Sequence, residues 1–254
     1  MRGLLRAEGI KVTGRKLVWV LAGIVVVLSA IGAFFQFAAA DLIDVPDLQL
    51  LEVPRKPEAF LYGFSNAAGS SWLPVILGAV LLGTEFGKGT WAISLTWESR
   101  RWRHLLAKLV ALSTAATALA LVGVVIWAVF AAGLAEGDGA PSLFELIGAA
   151  TKLAYIEVVW VAFGLAAAAL VRSTGLAVGL ALGFTFVEQL LFILPSYQRL
   201  SISGATTGIF GLELPAIVGQ PLAVPGVGAS VLILAGWGVV SGFAAWAALT
   251  YRDA

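Results

Sequence analysis

Two acids are placed where chemistry would be most consequential. Glu157 and Glu188 each interrupt an otherwise apolar stretch long enough to cross a bilayer. A bare charge at a bilayer centre costs about 2.5–3.5 kcal/mol on insertion scales, so both are expected to face protein or water rather than lipid. Two readings stay open for them. One is a polar point on a translocation path; the other is a hydrogen-bonded residue near the outer interface that ties helices together. The run Gly83-Thr84-Glu85-Phe86-Gly87-Lys88-Gly89-Thr90 looks superficially like a phosphate-binding loop. The Walker pattern needs four residues between its glycines and Ser or Thr directly after Lys. Here three residues separate Gly83 from Gly87, and Gly89 follows Lys88. The single histidine, His104, sits beside Arg100, Arg101 and Arg103 and reads as a solvated interfacial residue rather than a base or ligand. There is no cysteine, no H-E-x-x-H and no G-x-S-x-G. No catalytic residue and no metal site are therefore expected in this chain.

The elements that must position these residues are membrane helices. Of 254 residues, 60% are hydrophobic and 12% charged, against about 25% charged in a soluble domain. Residues 17–40, 60–84 and 109–135 carry no Asp, Glu, Lys, Arg or His. Each run exceeds the roughly 20 apolar residues that cross a hydrocarbon core. The first is too long for the apolar region of a signal peptide and reads as a retained helix. Six spans are predicted near 17–40, 66–84, 106–133, 149–171, 174–194 and 227–250. In lipid the backbone amides must bond within a segment, and these runs do not alternate as barrel strands would. The fold class is all-α, a polytopic membrane protein forming one transmembrane domain over 1–254.

Orientation follows from Lys and Arg. With a cytoplasmic N-terminus, Arg55, Lys56, Lys152 and Arg199 fall outside and the remaining twelve of the 16 basic residues fall inside. The positive-inside rule then favours N-in and C-in. A net charge of +1 offers no nucleic-acid surface.

Three regions do not span. Residues 1–16 are basic and mildly amphipathic, with Leu4, Leu5 and Ile10 available to an inner membrane surface. Residues 85–104 form the largest cytoplasmic loop, and a helix from Trp91 to His104 would align Trp91, Leu95 and Trp102 on one stripe. Arg100, Arg101 and Arg103 would anchor it to anionic lipid or to a partner's acids. Residues 195–226 hold Pro195, Pro215, Pro221 and Pro225 and read as an external cap or re-entrant segment. Within the fifth span, Gly175, Gly179 and Gly183 repeat every four residues and line one face; helix packing within the chain or a subunit interface would use it.

In this order the features resemble the ABC-2 type permeases, the membrane subunits of bacterial ATP-driven exporters. A basic amphipathic start, here Leu5-Arg6-Ala7-Glu8-Gly9-Ile10-Lys11, precedes the first span and a long external loop. The second span runs into Glu85-Phe86-Gly87-Lys88-Gly89-Thr90, and Ser99-Arg100-Arg101 with Lys108-Leu109 opens the third. A Pro/Gly-rich external segment precedes the sixth. The chain departs in its Trp91, Trp97 and Trp102, where the family more often has a proline before the basic turn.

The resemblance implies that the segment from Glu85 to Arg103, with Gly89, Thr90, Trp91, Arg100 and Arg101, is a coupling helix docked on an ATPase. It implies two copies of a cytoplasmic ATP-binding subunit, a second permease subunit, identical or related, and a bacterial cytoplasmic membrane. ATP and Mg would sit on the partner, with no cofactor in this chain. The cargo classes are a drug, peptide, lipid-like molecule or ion. An ion-coupled secondary transporter is the alternative; such folds place broken helices and charges near the midplane, in two related halves.

Overall fold

A computed structural model describes residues 1–37, 56–135, 139–211 and 223–251. The described residues are helical with connecting turns: α1 (Arg2–Thr13), α2 (Lys16–Phe37), α3 (Lys56–Gly69), α4 (Trp72–Gly87), α5 (Thr90–Trp97), α6 (Arg101–Leu134), α7 (Leu143–Val171), α8 (Thr174–Leu191), α9 (Pro195–Gln198), α10 (Ile202–Gly208) and α11 (Val227–Tyr251). Six stretches are long and apolar enough to cross a membrane, Lys16–Phe37, Glu58–Gly87, Arg101–Leu134, Leu143–Val171, Thr174–Leu191 and Val227–Tyr251. The expected external loop after the first span, residues 38–40 of that span, and 212–222 of the cap lie outside the described residues.

The second span differs most from expectation. It starts at Glu58 rather than near 66, and it is two helices. The break has a chemical cause: in a continuous helix the Pro74 ring would collide with the Ser70 carbonyl, four residues back. The chain instead turns at Ser70 and Ser71, with Ser70 N donating to Ala67 O (3.1 Å) and Leu73 N to Ser70 O (3.1 Å). Pro74 then sits in the first turn of α4, where a missing N–H costs nothing.

Helix α7 is the axis of the bundle, packing against α3, α4, α6, α8 and α11. Its first turn is fixed by a capping box. Glu145 N donates to Ser142 Oγ (3.3 Å), while Ser142 N donates to Glu145 Oε2 (2.7 Å). Lipid tails are as apolar as leucine, so close backbone approach must supply the association. Helices α4 and α7 meet at Gly78 and Gly164, where a Cβ on Gly78 would lie 2.7 Å from Val161 O and one on Gly164 would strike Val75 O. Trp160, Val161, Leu77 and Leu82 are buried beside this crossing.

The predicted glycine stripe lies elsewhere. Gly175, Gly179 and Gly183 are exposed, and nothing lies within 4 Å of a Cβ built on any of them. Helix α8 packs inward through Ala177, Ala181, Thr185 and Glu188 instead, so packing within the chain does not use the stripe.

Contacts gather the start of α6, the ends of α4, α7 and α11, and helix α1 at one end of the bundle. Arg101, at the start of α6, donates to the carbonyls of Leu249 and, at 3.1 Å, Thr250 at the end of α11. Arg172, in the left-handed C-cap of α7 (φ 52), lies 5.5 Å from the Phe86 ring and donates to Ala248 O. Helix α1 packs on α6 here as well. At the opposite end α9 and α10 fold against the bundle: α10 packs on α3 and α11, and Trp237 Nε1 donates to Leu200 O (3.2 Å).

Candidate functional site

The end that gathers α1, α4, α5 and α6 holds a four-membered charge cluster. Lys108 on α6 donates to Glu85 Oε1 on α4 (2.6 Å) and Glu8 Oε2 on α1 (2.8 Å). Lys11, one turn along α1, donates to Glu8 Oε1 (2.7 Å) and to the same Glu85 oxygen (2.9 Å). Glu8, Glu85 and Lys108 are buried, while the Lys11 side chain is 39% exposed. Two acids and two bases balance, so the cluster is neutral where water is scarce. Burial alone would raise the Glu8 carboxyl, but Lys108 and Lys11 outweigh it and hold Glu8 below the ordinary carboxylate value. Burial would likewise lower Lys11, and its bonds to Glu8 and Glu85 reverse that and raise it. Arg15 adds a bond from Nη1 to Thr84 Oγ1 (2.6 Å).

The cluster adds a seat on the bundle to the reading of residues 1–16 as a basic amphipathic segment. The face of α1 that is buried carries Glu8 and Val12, whereas Ile10 is 63% exposed. An acid alone among Arg2, Arg6, Lys11, Arg15 and Lys16 was the signal available, and it needed the partner Lys108, 100 residues away, to be read.

Helix α5 springs from the cluster. Glu85 is followed by a tight reversal at Gly89, whose φ of 67 is left-handed and open to glycine without strain. Thr90 Oγ1 donates to Glu85 O (3.4 Å). Trp91 is buried, with its ring 5.6 Å from Phe86 and 5.9 Å from His104. Lys88, Ile93 and Arg100 are exposed.

The helix does not reach His104. It ends at Trp97, and Glu98 takes an extended conformation (φ −144, ψ 107). Glu98 closes the turn into α6, accepting from Arg103 Nη1 (3.0 Å) and Arg100 N (3.3 Å), while His104 Nε2 donates to its carbonyl (2.9 Å). The Arg103 bond holds the Glu98 carboxyl below its ordinary value. Trp102 therefore belongs to α6, and the stripe of Trp91, Leu95 and Trp102 does not form. His104, expected in solvent, is 3% exposed. Of the three arginines, Arg101 and Arg103 are engaged within the chain, and Arg100 faces outward.

The two membrane acids have different surroundings. Glu188, near the end of α8, accepts from Ser203 N (3.1 Å) and Ser203 Oγ (2.9 Å) at the start of α10. It ties the cap to the bundle. Glu157 is the central residue of α7 and 2% exposed, and its Oε2 has no hydrogen-bond partner among the described residues. It lines a cavity of about 90 Å³ between α2, the α3–α4 break, α6 and α7, together with Ser29, Asn66, Ser70, Trp72 and Trp127. The two acids thus do not share one path surface.

The comparisons with known proteins agree with this architecture. A family model described as ABC-2 family transporter protein matches residues 57–203, more than half of the chain. That match runs from α3 to the start of α10 and so includes α5, Glu85, Lys108 and Glu157. No curated protein matches the sequence.

Proposed function

Because the chain belongs to the ABC-2 family of transporter proteins, we propose that it is the membrane-spanning permease subunit of an ATP-driven exporter, with ATP and Mg bound and hydrolysed on a separate cytoplasmic subunit. The observation that carries this reading is α5: a short helix between the second and third spans, set off by Gly89 and braced by the Glu8–Lys11–Glu85–Lys108 cluster. A docking helix must transmit force without bending at its root. Ion pairs that join its root to α1 and α6 meet that need.

The basic end of the bundle faces the cytoplasm in this reading, giving N-in and C-in in a bacterial cytoplasmic membrane. Two ATP-binding subunits meet two permease chains, one at each α5. The exposed small-residue face of α8, Gly175, Gly179 and Gly183, is the surface offered to the second permease. The cap over 195–226 closes the external end, and Glu157 lies on the route between α2, α6 and α7.

The test is association. Purified in mild detergent, the chain brings an ATP-binding subunit with it. Arg100→Glu combined with Lys88→Glu, both at exposed positions, releases that subunit while the permease stays folded. A chain that purifies alone and moves its cargo on an ion gradient without ATP replaces this reading with a secondary transporter.

A further inference from the structure

We infer that the cavity at the α3–α4 break is a binding site for a small monovalent cation, with the Glu157 carboxylate as its principal ligand. Every polar side chain lining it can accept a hydrogen bond or ligate a cation: Glu157, Ser29, Asn66 and Ser70. Among the described residues, no Lys, Arg or His lines it. The acid is 2% exposed, and its Oε2 has no partner among the described residues. Elsewhere the described acids buried in the chain do have partners: Glu8 and Glu85 have Lys11 and Lys108, and Glu188 has Ser203. Among the described residues, Glu157 is thus the buried acid without a hydrogen-bonded or ion-paired partner.

Helix α3 ends at Gly69 and α4 begins at Trp72, both beside the lining, so the opposite partial charges of the two helix ends offset one another there. Trp72 and Trp127 complete the wall. A volume of about 90 Å³ is several times the roughly 10–15 Å³ that one water requires. That suits an alkali ion with residual water, or an ammonium head group. Asn66 is exposed and stands at the mouth.

This deepens the transport reading by naming a ligand class on the proposed route, and it rests on that reading for its role in transport. The binding itself needs no ATP, so the two fail separately. The full chain in lipid nanodiscs is unfolded thermally in sodium, potassium or methylammonium chloride, each exchanged against choline chloride at constant ionic strength. Expected is a saturable rise of the midpoint with at least one small cation. A response to the alkali ions alone marks a metal-ion site, and one to methylammonium marks an ammonium site.

Glu157→Gln keeps the shape and is expected to weaken the apparent affinity at least tenfold. Asn66→Leu, at the mouth, is expected to weaken it severalfold and serves if Glu157→Gln does not fold. Equal midpoints in all salts overturn the proposal. So does an unchanged cation response in Glu157→Gln, or in Asn66→Leu where that variant stands in. Binding retained in a chain that associates with no ATPase would leave the site standing and remove the exporter.

Discussion

Lys108 is 2% exposed and serves two carboxylates from two other helices. Replacing it with Met keeps the stem and removes the charge, leaving Glu8 and Glu85 with Lys11 alone. Breaking a buried ion pair from one side costs about 3–5 kcal/mol. Lys108→Met is expected to lower the thermal midpoint in nanodiscs by several degrees. Lys108→Met with Glu85→Gln recovers part of that loss, because one uncompensated acid is gone. The cluster also makes the seat of α1 depend on pH. Glu8 is held below its ordinary value of 4.5, so its contribution is present above that pH and lost as pH falls through the lower folded value. Lys11 is raised above 10.5, so its contribution is present below that pH and lost as pH rises through the higher folded value. A probe on Gly3→Cys, in a chain with no other thiol, should show high, constant anisotropy between these limits and drop outside them. Constant anisotropy down to pH 3 would mean that the ion pairs do not seat α1. Residues of this kind were only half legible beforehand. Glu157 and Glu188 stood out because lipid makes an acid conspicuous within 20 apolar neighbours. Glu8, Glu85 and Lys108 look like ordinary interfacial charges until the fold brings three distant segments together.

At the scale of the helix, glycines separate into two classes that spacing alone does not distinguish. Gly164 faces the α4 backbone, with Ala79 N 3.0 Å from a built Cβ. Gly164→Leu has no room and is expected to abolish a folded, monodisperse product. Gly179 faces open space, so Gly179→Leu is expected to fold with an unchanged midpoint. If α8 is the face offered to a second permease, that variant shifts the chain from dimer to monomer in light scattering; an unshifted dimer would place the interface on another helix. The regular four-residue repeat in α8 drew the eye, whereas Gly78 and Gly164 each stand alone in their helices' contact and have no partner in sequence. Helix spans were legible because hydropathy reports the solvent directly. The break in the second span was not, although Pro74 announced it, because the uncharged run hides a helix that begins among charged residues at Glu58. The short α5 was legible in place but not in extent, since Glu98 and His104 end it through contacts that form only after the turn is made.

For the whole molecule, the two ends differ in chemistry. One gathers α1, α5 and the starts or ends of α4, α6, α7 and α11 with their basic residues; the other carries the capping box of α7, the short helices α9 and α10, and Phe144, which is 88% exposed. With a membrane-impermeant maleimide applied to intact cells, Phe144→Cys is expected to be labelled and Ile93→Cys to be labelled only in inverted vesicles. The reverse pattern would turn the protein over and remove α5 from the ATPase. Ile93 is 61% exposed on α5, and Ile93→Glu is expected to lower ATPase association at least tenfold without moving the thermal midpoint.

The break at Ser70 and Ser71 also gives the two halves of the second span different main neighbours, although both touch α6 and α7. Helix α3 leans on α6 and α7, whereas α4 leans on α7 and α8 and continues into α5. A displacement of α4 would bear on α7 through the close crossing at Gly78 and Gly164, whereas α3 packs mainly on α6. The joint between them borders the cavity that Ser70, Trp72 and Glu157 line, so a change in the angle between α3 and α4 would reshape that cavity.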